Sequence, residues 1–358
     1  MMELTMWQAC DMVTTVPSDL IPALDLSMLR SDEPGAVEQL GRELKRALED
    51  VGFFFITNHG IAWELVERVY DNARVLHALP AEQLNSIIMD ADHGGYLTYA
   101  AGTSYASEIA GKVRTPNLNA AFFAHRGGYR SGNRWPELEG FRPLVEDYMD
   151  RLVDLARGMV RVLASSLELC DDYFESHFDD PSCTLRLSHY PVVAYGEHDW
   201  GLAPHTDSTI FTFLPYNEVP GLEIRPAGHE WIVPPQLPSS FLVNSGDMLK
   251  RWTNQRFRST AHRVRNQANV DRYAMPFFFG SRDDALIEAL PTCVSEENPP
   301  RQRPITYGDY QRWFLNRNYA KVTGEQAEAS APEDPCTLRG AEVRVTNCGA
   351  GGAVPPGG

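Results

Sequence analysis

His205 and Asp207 stand two residues apart, just before the apolar run Ile210-Phe211-Thr212-Phe213-Leu214. In an extended segment, residues i and i+2 point to the same face, so one imidazole and one carboxylate can reach one ion. His262 lies in a second strand-like run, Thr260-Ala261-His262-Arg263-Val264, and completes a set of two histidines and one carboxylate. Such a set occupies one face of an octahedral divalent metal and leaves the remaining positions open to exogenous ligands. His-x-Asp is a weak signal in a chain with ten histidines. A second copy, His177-Phe178-Asp179, follows a long helical pattern and runs into Asp180-Pro181, which marks a helix end and turn. His189 and His229 are rivals for the third ligand. The strand-like setting of His262, and the arginine that follows it, favour His262.

That arginine is Arg272, ten residues beyond His262 and at the head of Tyr273-Ala274-Met275-Pro276-Phe277-Phe278-Phe279. A guanidinium entering so apolar a strand is costly unless its charge is paired. An incoming carboxylate would pair it through two parallel hydrogen bonds. A protein Asp or Glu would also serve, and spacing alone leaves both open.

The chain resembles the isopenicillin N synthase-like family of iron(II) and 2-oxoglutarate-dependent dioxygenases. The likeness runs through Val51-Gly52-Phe53-Phe54-Phe55-Ile56-Thr57-Asn58-His59-Gly60-Ile61, Pro220-Gly221-Leu222-Glu223-Ile224, Asn244-Ser245-Gly246-Asp247-Met248 and Trp252-Thr253-Asn254, and spans roughly residues 18–322. It implies an α+β fold with a mainly β core: a double-stranded β-helix, or jelly roll, flanked by helices, with an N-terminal helical and strand region. It implies Fe(II) held by His205, Asp207 and His262, with 2-oxoglutarate and dioxygen as co-substrates and ascorbate as a reductant. Leu185-Arg186-Leu187-Ser188-His189-Tyr190-Pro191 falls where relatives carry Asn-Tyr-Tyr-Pro. The likeness therefore places Arg272, Tyr190 and Ser188 at the co-substrate, with Ser188 in place of the usual Asn. Tyr96, Tyr99, Tyr105, Phe122 and Phe123 fall in the region that relatives use beside the active-site mouth, and are candidates for a substrate wall; ordinary loop packing is the alternative.

One departure stands out. Relatives usually read Arg-x-Ser, whereas this chain reads Arg272-Tyr273-Ala274. Losing one hydroxyl donor to a charged acceptor costs about 1.5–3 kcal/mol if nothing replaces it. The expected activity is oxidation of an unactivated C–H bond of a small molecule, by hydroxylation, desaturation or ring closure, in specialised metabolism. The alternatives are an oxidase of the isopenicillin N synthase type that uses no 2-oxoglutarate, a ligand-binding module without turnover, and a zinc hydrolase on the same three ligands.

The elements that must position these residues are legible in outline. Residues 1–17 read as a flexible arm and 18–135 as an N-terminal dioxygenase region. Within that region Val37, Leu40, Leu44 and Leu48 give one apolar helical face, Phe53 to Thr57 a buried strand, and Ile61 to Leu79 a further helix. His59, in the turn Asn58-His59-Gly60, reads as structural. Residues 136–180 hold a long scaffold helix expected from Pro136 to Leu169. Residues 181–285 form the catalytic core, whose short strands punctuated by Gly and Pro argue for a sandwich or barrel. Residues 286–323 supply a C-terminal helix packing on the core, and 324–358, rich in Gly, Ala, Pro and Glu, a disordered tail.

The 358 residues carry a net charge of −16, which argues against nucleic acid or an anionic membrane as partner. Six cysteines without a Cys-x-x-Cys pair favour a reduced, cytoplasmic setting. No apolar run reaches membrane-spanning length. The expected partner is a small-molecule substrate, and the expected state a monomer or weak homo-oligomer.

Overall fold

The computed structural model describes residues 14–15, 20–102, 116–128, 132–196 and 199–323. Most of residues 1–17, the tail 324–358 and Tyr105 lie outside them. Thr14 and Thr15, expected within a flexible arm, pair in parallel with Ile232 and Val233.

Twelve strands of three residues or more run through the described residues: β1 (Ala23–Asp25), β2 (Phe53–Thr57), β3 (His93–Leu97), β4 (Ala120–Arg126), β5 (Cys183–Tyr190), β6 (Leu202–His205), β7 (Phe211–Pro215), β8 (Leu222–Arg225), β9 (Phe241–Ser245), β10 (Ala261–Val264), β11 (Arg272–Ala274) and β12 (Phe277–Phe279). A ten-stranded sheet runs β1-β2-β9-β7-β12-β5-β4-β3 and ends on the short strand Gly132–Asn133, with β11 also pairing β5. A five-stranded sheet runs Thr14–Thr15, Ile232–Val233, β8, β10, β6. The two sheets form the jelly-roll core, and helices cover the outer face of the large one.

Register explains how one sheet serves two purposes. Phe54, Val243, Phe213, Phe277, Leu185 and Ala124 lie in one row across β2, β9, β7, β12, β5 and β4. All six are fully buried in the main hydrophobic cluster. The neighbouring row, one residue along, is Phe53, Asn244, Thr212, Phe278, Thr184 and His125, and it faces the other way. A slip of one residue would exchange the two rows, so burial of the first fixes the direction of the second.

The covering helices are α1 (Ala36–Asp50), α2 (Trp63–His77) and α3 (Phe141–Ser166). The scaffold helix α3 is shorter than the expected Pro136–Leu169 at both ends. Gly140 takes φ 73° immediately before it, after a turn in which Phe141 N–H donates to the Leu138 carbonyl. Glu168 takes φ 59° just beyond it, and Leu169 N–H folds back to the Ala164 carbonyl. A short helix α4 (Asp247–Trp252) follows β9, and α5 (Tyr307–Thr323) is the expected C-terminal helix. Gln311 on α5 donates to the Ser208 carbonyl and so reaches the turn that carries Asp207. Among the described residues no helix is long and apolar enough to cross a membrane.

α1 and α3 cross at Gly41, where an added Cβ would lie 2.6 Å from Ser165 Oγ and 2.9 Å from Ser165 Cβ. Gly41→Val should therefore destabilise the fold by about 1–3 kcal/mol through overpacking. The effect should appear as a lower urea midpoint, largely restored by adding Ser165→Gly; an unchanged midpoint would mean that the helices do not meet there.

Candidate metal centre

His205 ends β6, His262 lies in β10, and the two face each other directly across the pair. Their rings are 4.2 Å apart between centroids. Asp207 is not in the strand; it sits in the turn after β6, so alternation alone did not decide its direction. That turn is held from below: Asp247 N–H donates to the Asp207 carbonyl at 2.7 Å, and Gly246 N–H to the Ile210 carbonyl at 3.1 Å. Asp207 Oδ1 then lies 3.8 Å from His205 Nε2 and 3.6 Å from His262 Nε2. Among the described residues this is the one group of His, Cys, Asp and Glu side chains whose ligand atoms gather closely enough to hold a metal ion.

Hydrogen bonds behind the three residues aim them. His205 Nδ1 donates to the Ala203 carbonyl at 2.8 Å, and His262 Nδ1 to the Thr260 carbonyl at 3.2 Å. Each bond places the ring proton on Nδ1 and leaves the Nε2 lone pair facing the centre. Asp207 Oδ2 accepts from Thr212 Oγ1 at 2.6 Å and from Asn244 Nδ2 at 2.8 Å, which leaves Oδ1 for a metal. Burial pushes the His205 imidazole down to about 3, with the neighbouring His262 adding to the effect. Burial alone would raise the Asp207 carboxyl; the adjacent His262 and His205 and the Asn244 amide outweigh it and keep Asp207 ionised. Burial alone would lower the His262 imidazole, but the adjacent Asp207 carboxylate outweighs it and holds it above the ordinary value, so a metal binding there displaces a proton. A neutral imidazole and an ionised carboxylate are the ligating forms of these side chains.

The rival histidines are elsewhere. His189 points to the opposite face of β5, where it hydrogen-bonds Asp271 at 2.8 Å and stacks on Tyr273. His229 is exposed in a turn. His177 closes a short turn against Trp252, and Asp179 pairs with Arg282. His59 is structural: its Nδ1 accepts from Ile61 N–H, and Nε2 contacts the Ser239 carbonyl.

An open-mouthed cavity lies over the three residues. Leu214, Leu222, Leu242 and Val264 give it apolar walls, and Tyr190, Arg272 and Ala274 line one end. Arg272 pairs directly with Tyr190 across β11 and β5, and its Cζ lies 5.3 Å from the Tyr190 ring centroid. Arg272 is 3% exposed; its Nε donates to the Val219 carbonyl at 3.1 Å, and Nη1 has no partner. No carboxylate among the described residues pairs with it, so the protein ion pair left open by spacing is absent there. Ser188 faces Ala274 in the register, and its buried Oγ also lacks a partner. Ser188 is not among the residues lining the cavity.

The substrate-wall candidates fare differently. Tyr96 and Phe122 belong to the core beneath the helices: Tyr96 hydroxyl meets His77 Nδ1, and Phe122 packs edge-on against Phe141. Neither lines the cavity, because alternation along β3 and β4 turns them outward. Tyr99 is half exposed and away from the cavity lining. Phe123 points inward and lies under Arg186, a cavity residue, with Arg186 Cζ 5.3 Å from its ring centroid. In the sequence alone Asn244, Thr212 and Arg186 carry no site role, although Thr212 stands between Phe211 and Phe213 and Arg186 between Leu185 and Leu187, the kind of apolar setting that singles out Arg272.

Comparison with known proteins agrees with this geometry. Residues 181–281 match the 2OG-Fe(II) oxygenase superfamily, and residues 21–137 match the N-terminal region described as non-haem dioxygenase in morphine synthesis. A 2-oxoglutarate-Fe(II) type oxidoreductase of Emericella nidulans, hxnY, is 30% identical over 86% of this chain and 93% of its own. A homoarginine-6-hydroxylase of Arabidopsis thaliana is 31% identical over 76% of this chain and 88% of its own. Among solved structures, a full-length Neurospora crassa protein in complex with alpha-KG superposes with a TM-score of 0.74 at 23% identity, covering 84% of this chain and 98% of that one. JOX2 in complex with 2OG, Fe and JA superposes with a TM-score of 0.71 at 26% identity, covering 87% and 89%.

Asn244→Leu and Thr212→Val each strip one hydrogen bond from Asp207 Oδ2. Each should weaken Fe(II) binding by about 10–100-fold, measured by anaerobic titration of metal-free protein, with circular dichroism unchanged. Wild-type affinity in both would show that Asp207 needs no such support.

Proposed function

The chain belongs to the 2OG-Fe(II) oxygenase superfamily, and from that premise we propose that His205, Asp207 and His262 hold its iron while Arg272 and Tyr190 hold the far carboxylate of 2-oxoglutarate. One observation carries the reading: a fully buried guanidinium without a carboxylate partner among the described residues, opening on the same cavity as the three ligands. A dicarboxylate co-substrate supplies the missing charge. Ala274 removes a hydroxyl that relatives use, and the orphaned Ser188 Oγ lies beside it.

With 2-oxoglutarate and dioxygen, bound iron supplies the oxidising power, and succinate and carbon dioxide leave as the co-products of substrate oxidation. The residues of the chain set the stage for that chemistry. The carbonyls of Ala203 and Thr260 hold the two Nδ1 protons, so both Nε2 atoms face the centre as the ligating nitrogens. Thr212 and Asn244 fix which Asp207 oxygen is free. The leucine walls lower the local dielectric around Arg272, which strengthens its pairing with an anion. All three metal-ligand positions are filled by ligating side chains, which favours turnover over a binding module. The substrate is a small molecule whose C–H bond is hydroxylated, desaturated or drawn into a ring, as part of specialised metabolism. A cytoplasmic setting agrees with Cys170, Cys183 and Cys293, which are free thiols.

Arg272→Leu should raise the 2-oxoglutarate requirement about tenfold or more, the scale of a lost charged hydrogen bond, read from the dependence of succinate release on 2-oxoglutarate. Ala274→Ser should tighten 2-oxoglutarate binding or leave it unchanged. His205→Ala, Asp207→Ala and His262→Ala should each abolish succinate release, whereas His177→Ala should be silent. Oxygen uptake without succinate would instead establish an oxidase that bypasses the co-substrate. Unchanged 2-oxoglutarate dependence in Arg272→Leu would mean that another residue is the anchor.

A further inference from the structure

Arg272 is not the only bare cation in the cavity. Arg186 lies four residues from Tyr190 on the same face of β5, roughly 13 Å along the strand, and it lines the cavity together with His205. It is 6% exposed. Nη2 donates to Asn119 Oδ1 at 2.8 Å, and the guanidinium lies over the Phe123 ring. Nε is buried without a partner, and no carboxylate among the described residues pairs with Arg186. Asn119 Nδ2 in turn donates to the Gly201 carbonyl at the start of β6, so Arg186 is tied to the strand that delivers His205.

A count of formal charges separates the two arginines. Asp207 is the only carboxylate among the described residues lining the cavity. The two positive charges of Fe(II) and the Arg272 guanidinium are matched by Asp207 and the two carboxylates of 2-oxoglutarate. Arg186 is the charge left over. A buried guanidinium without a counter-ion carries a large desolvation cost, which a single anion entering the cavity would offset. Its planar fork suits a carboxylate, and one unmatched charge calls for one monoanionic group rather than a dianion.

Resting on the reading above of iron and 2-oxoglutarate at this site, we infer that the primary substrate is a small molecule bearing a single carboxylate, and that Arg186, seated on Phe123 and steered by Asn119, binds that carboxylate and sets which C–H bond faces the metal. Phe123 thereby belongs to the substrate site through Arg186 rather than as a bare wall.

The test uses full-length protein loaded with Mn(II), which supports no turnover, and saturated with N-oxalylglycine, an unreactive analogue of 2-oxoglutarate. Calorimetry then measures the binding of octanoate and 3-phenylpropanoate beside their methyl esters. In the wild type, at least one acid should bind about tenfold or more tighter than its own ester, the scale of a charged hydrogen bond. Arg186→Leu should erase that gap while leaving N-oxalylglycine affinity nearly unchanged, and Arg186→Lys, which keeps the charge, should retain part of it. Acids binding no better than esters to the wild type, or not at all, would overturn the inference. So would an Arg186→Leu protein that keeps the gap, or one that loses N-oxalylglycine binding. Should Arg186→Leu fail to fold, the wild-type ratio and Arg186→Lys decide. Failure of the wild type to bind N-oxalylglycine would refute the iron and 2-oxoglutarate reading itself, and the inference with it.

Discussion

A charge buried in a β core must be answered by an opposite charge, or the fold carries the cost of leaving it bare. Three such charges face the cavity: Asp207, Arg186 and Arg272. Asp207 is stabilised within the protein by two hydrogen bonds and two histidines. The arginines are not so stabilised, and the dispersed contacts they make, a carbonyl, an amide oxygen and two aromatic rings, leave their charge unneutralised. A chain selected only for stability would place apolar side chains at both positions. Holding two cations in readiness makes sense when ligands supply the anions, and binding energy is then realised only when the right molecules arrive.

The rest of the fold supports that arrangement. The outward row of the large sheet, from Phe54 to Ala124, is sealed against the helices and contributes the main apolar burial. That burial sets the register, and register is what puts Asn244 beside Thr212 and both behind Asp207. The site is therefore held by strands that cannot slip without exposing the core. The metal-facing pair sits on the smaller sheet, with His205 opposite His262, so the two sheets meet at the candidate centre.

The sequence made some of this legible and hid the rest for physical reasons. Spacing brought out His205 and Asp207, and an unpaired cation at the head of an apolar strand brought out Arg272. His262 and His189 share a strand-like setting, and in the sequence only Arg272, ten residues beyond His262, favours one over the other. What separates them is which face of its strand each one uses, and that depends on register with distant partners. The same dependence misplaced Tyr96 and Phe122, whose aromatic character says nothing about whether they look into the cavity or into the helices. Leu185-Arg186-Leu187 has the same pattern as the head of the Arg272 strand, but the family likeness bears on Ser188 and Tyr190, which follow it, and not on Arg186. The start of α3 moved because Gly140 adopts a left-handed turn, a local choice that the helical period of its apolar residues does not report.

The central claim is that three side chains and one buried arginine form a ready site for iron and 2-oxoglutarate. Its most direct test is an anaerobic optical titration of the metal-free chain, first with Fe(II) and then with 2-oxoglutarate. The account predicts one Fe(II) bound per chain, and a visible metal-to-ligand charge-transfer band that grows on adding 2-oxoglutarate and stays absent with succinate. Iron binding without that band, or no stoichiometric iron binding at all, would contradict it.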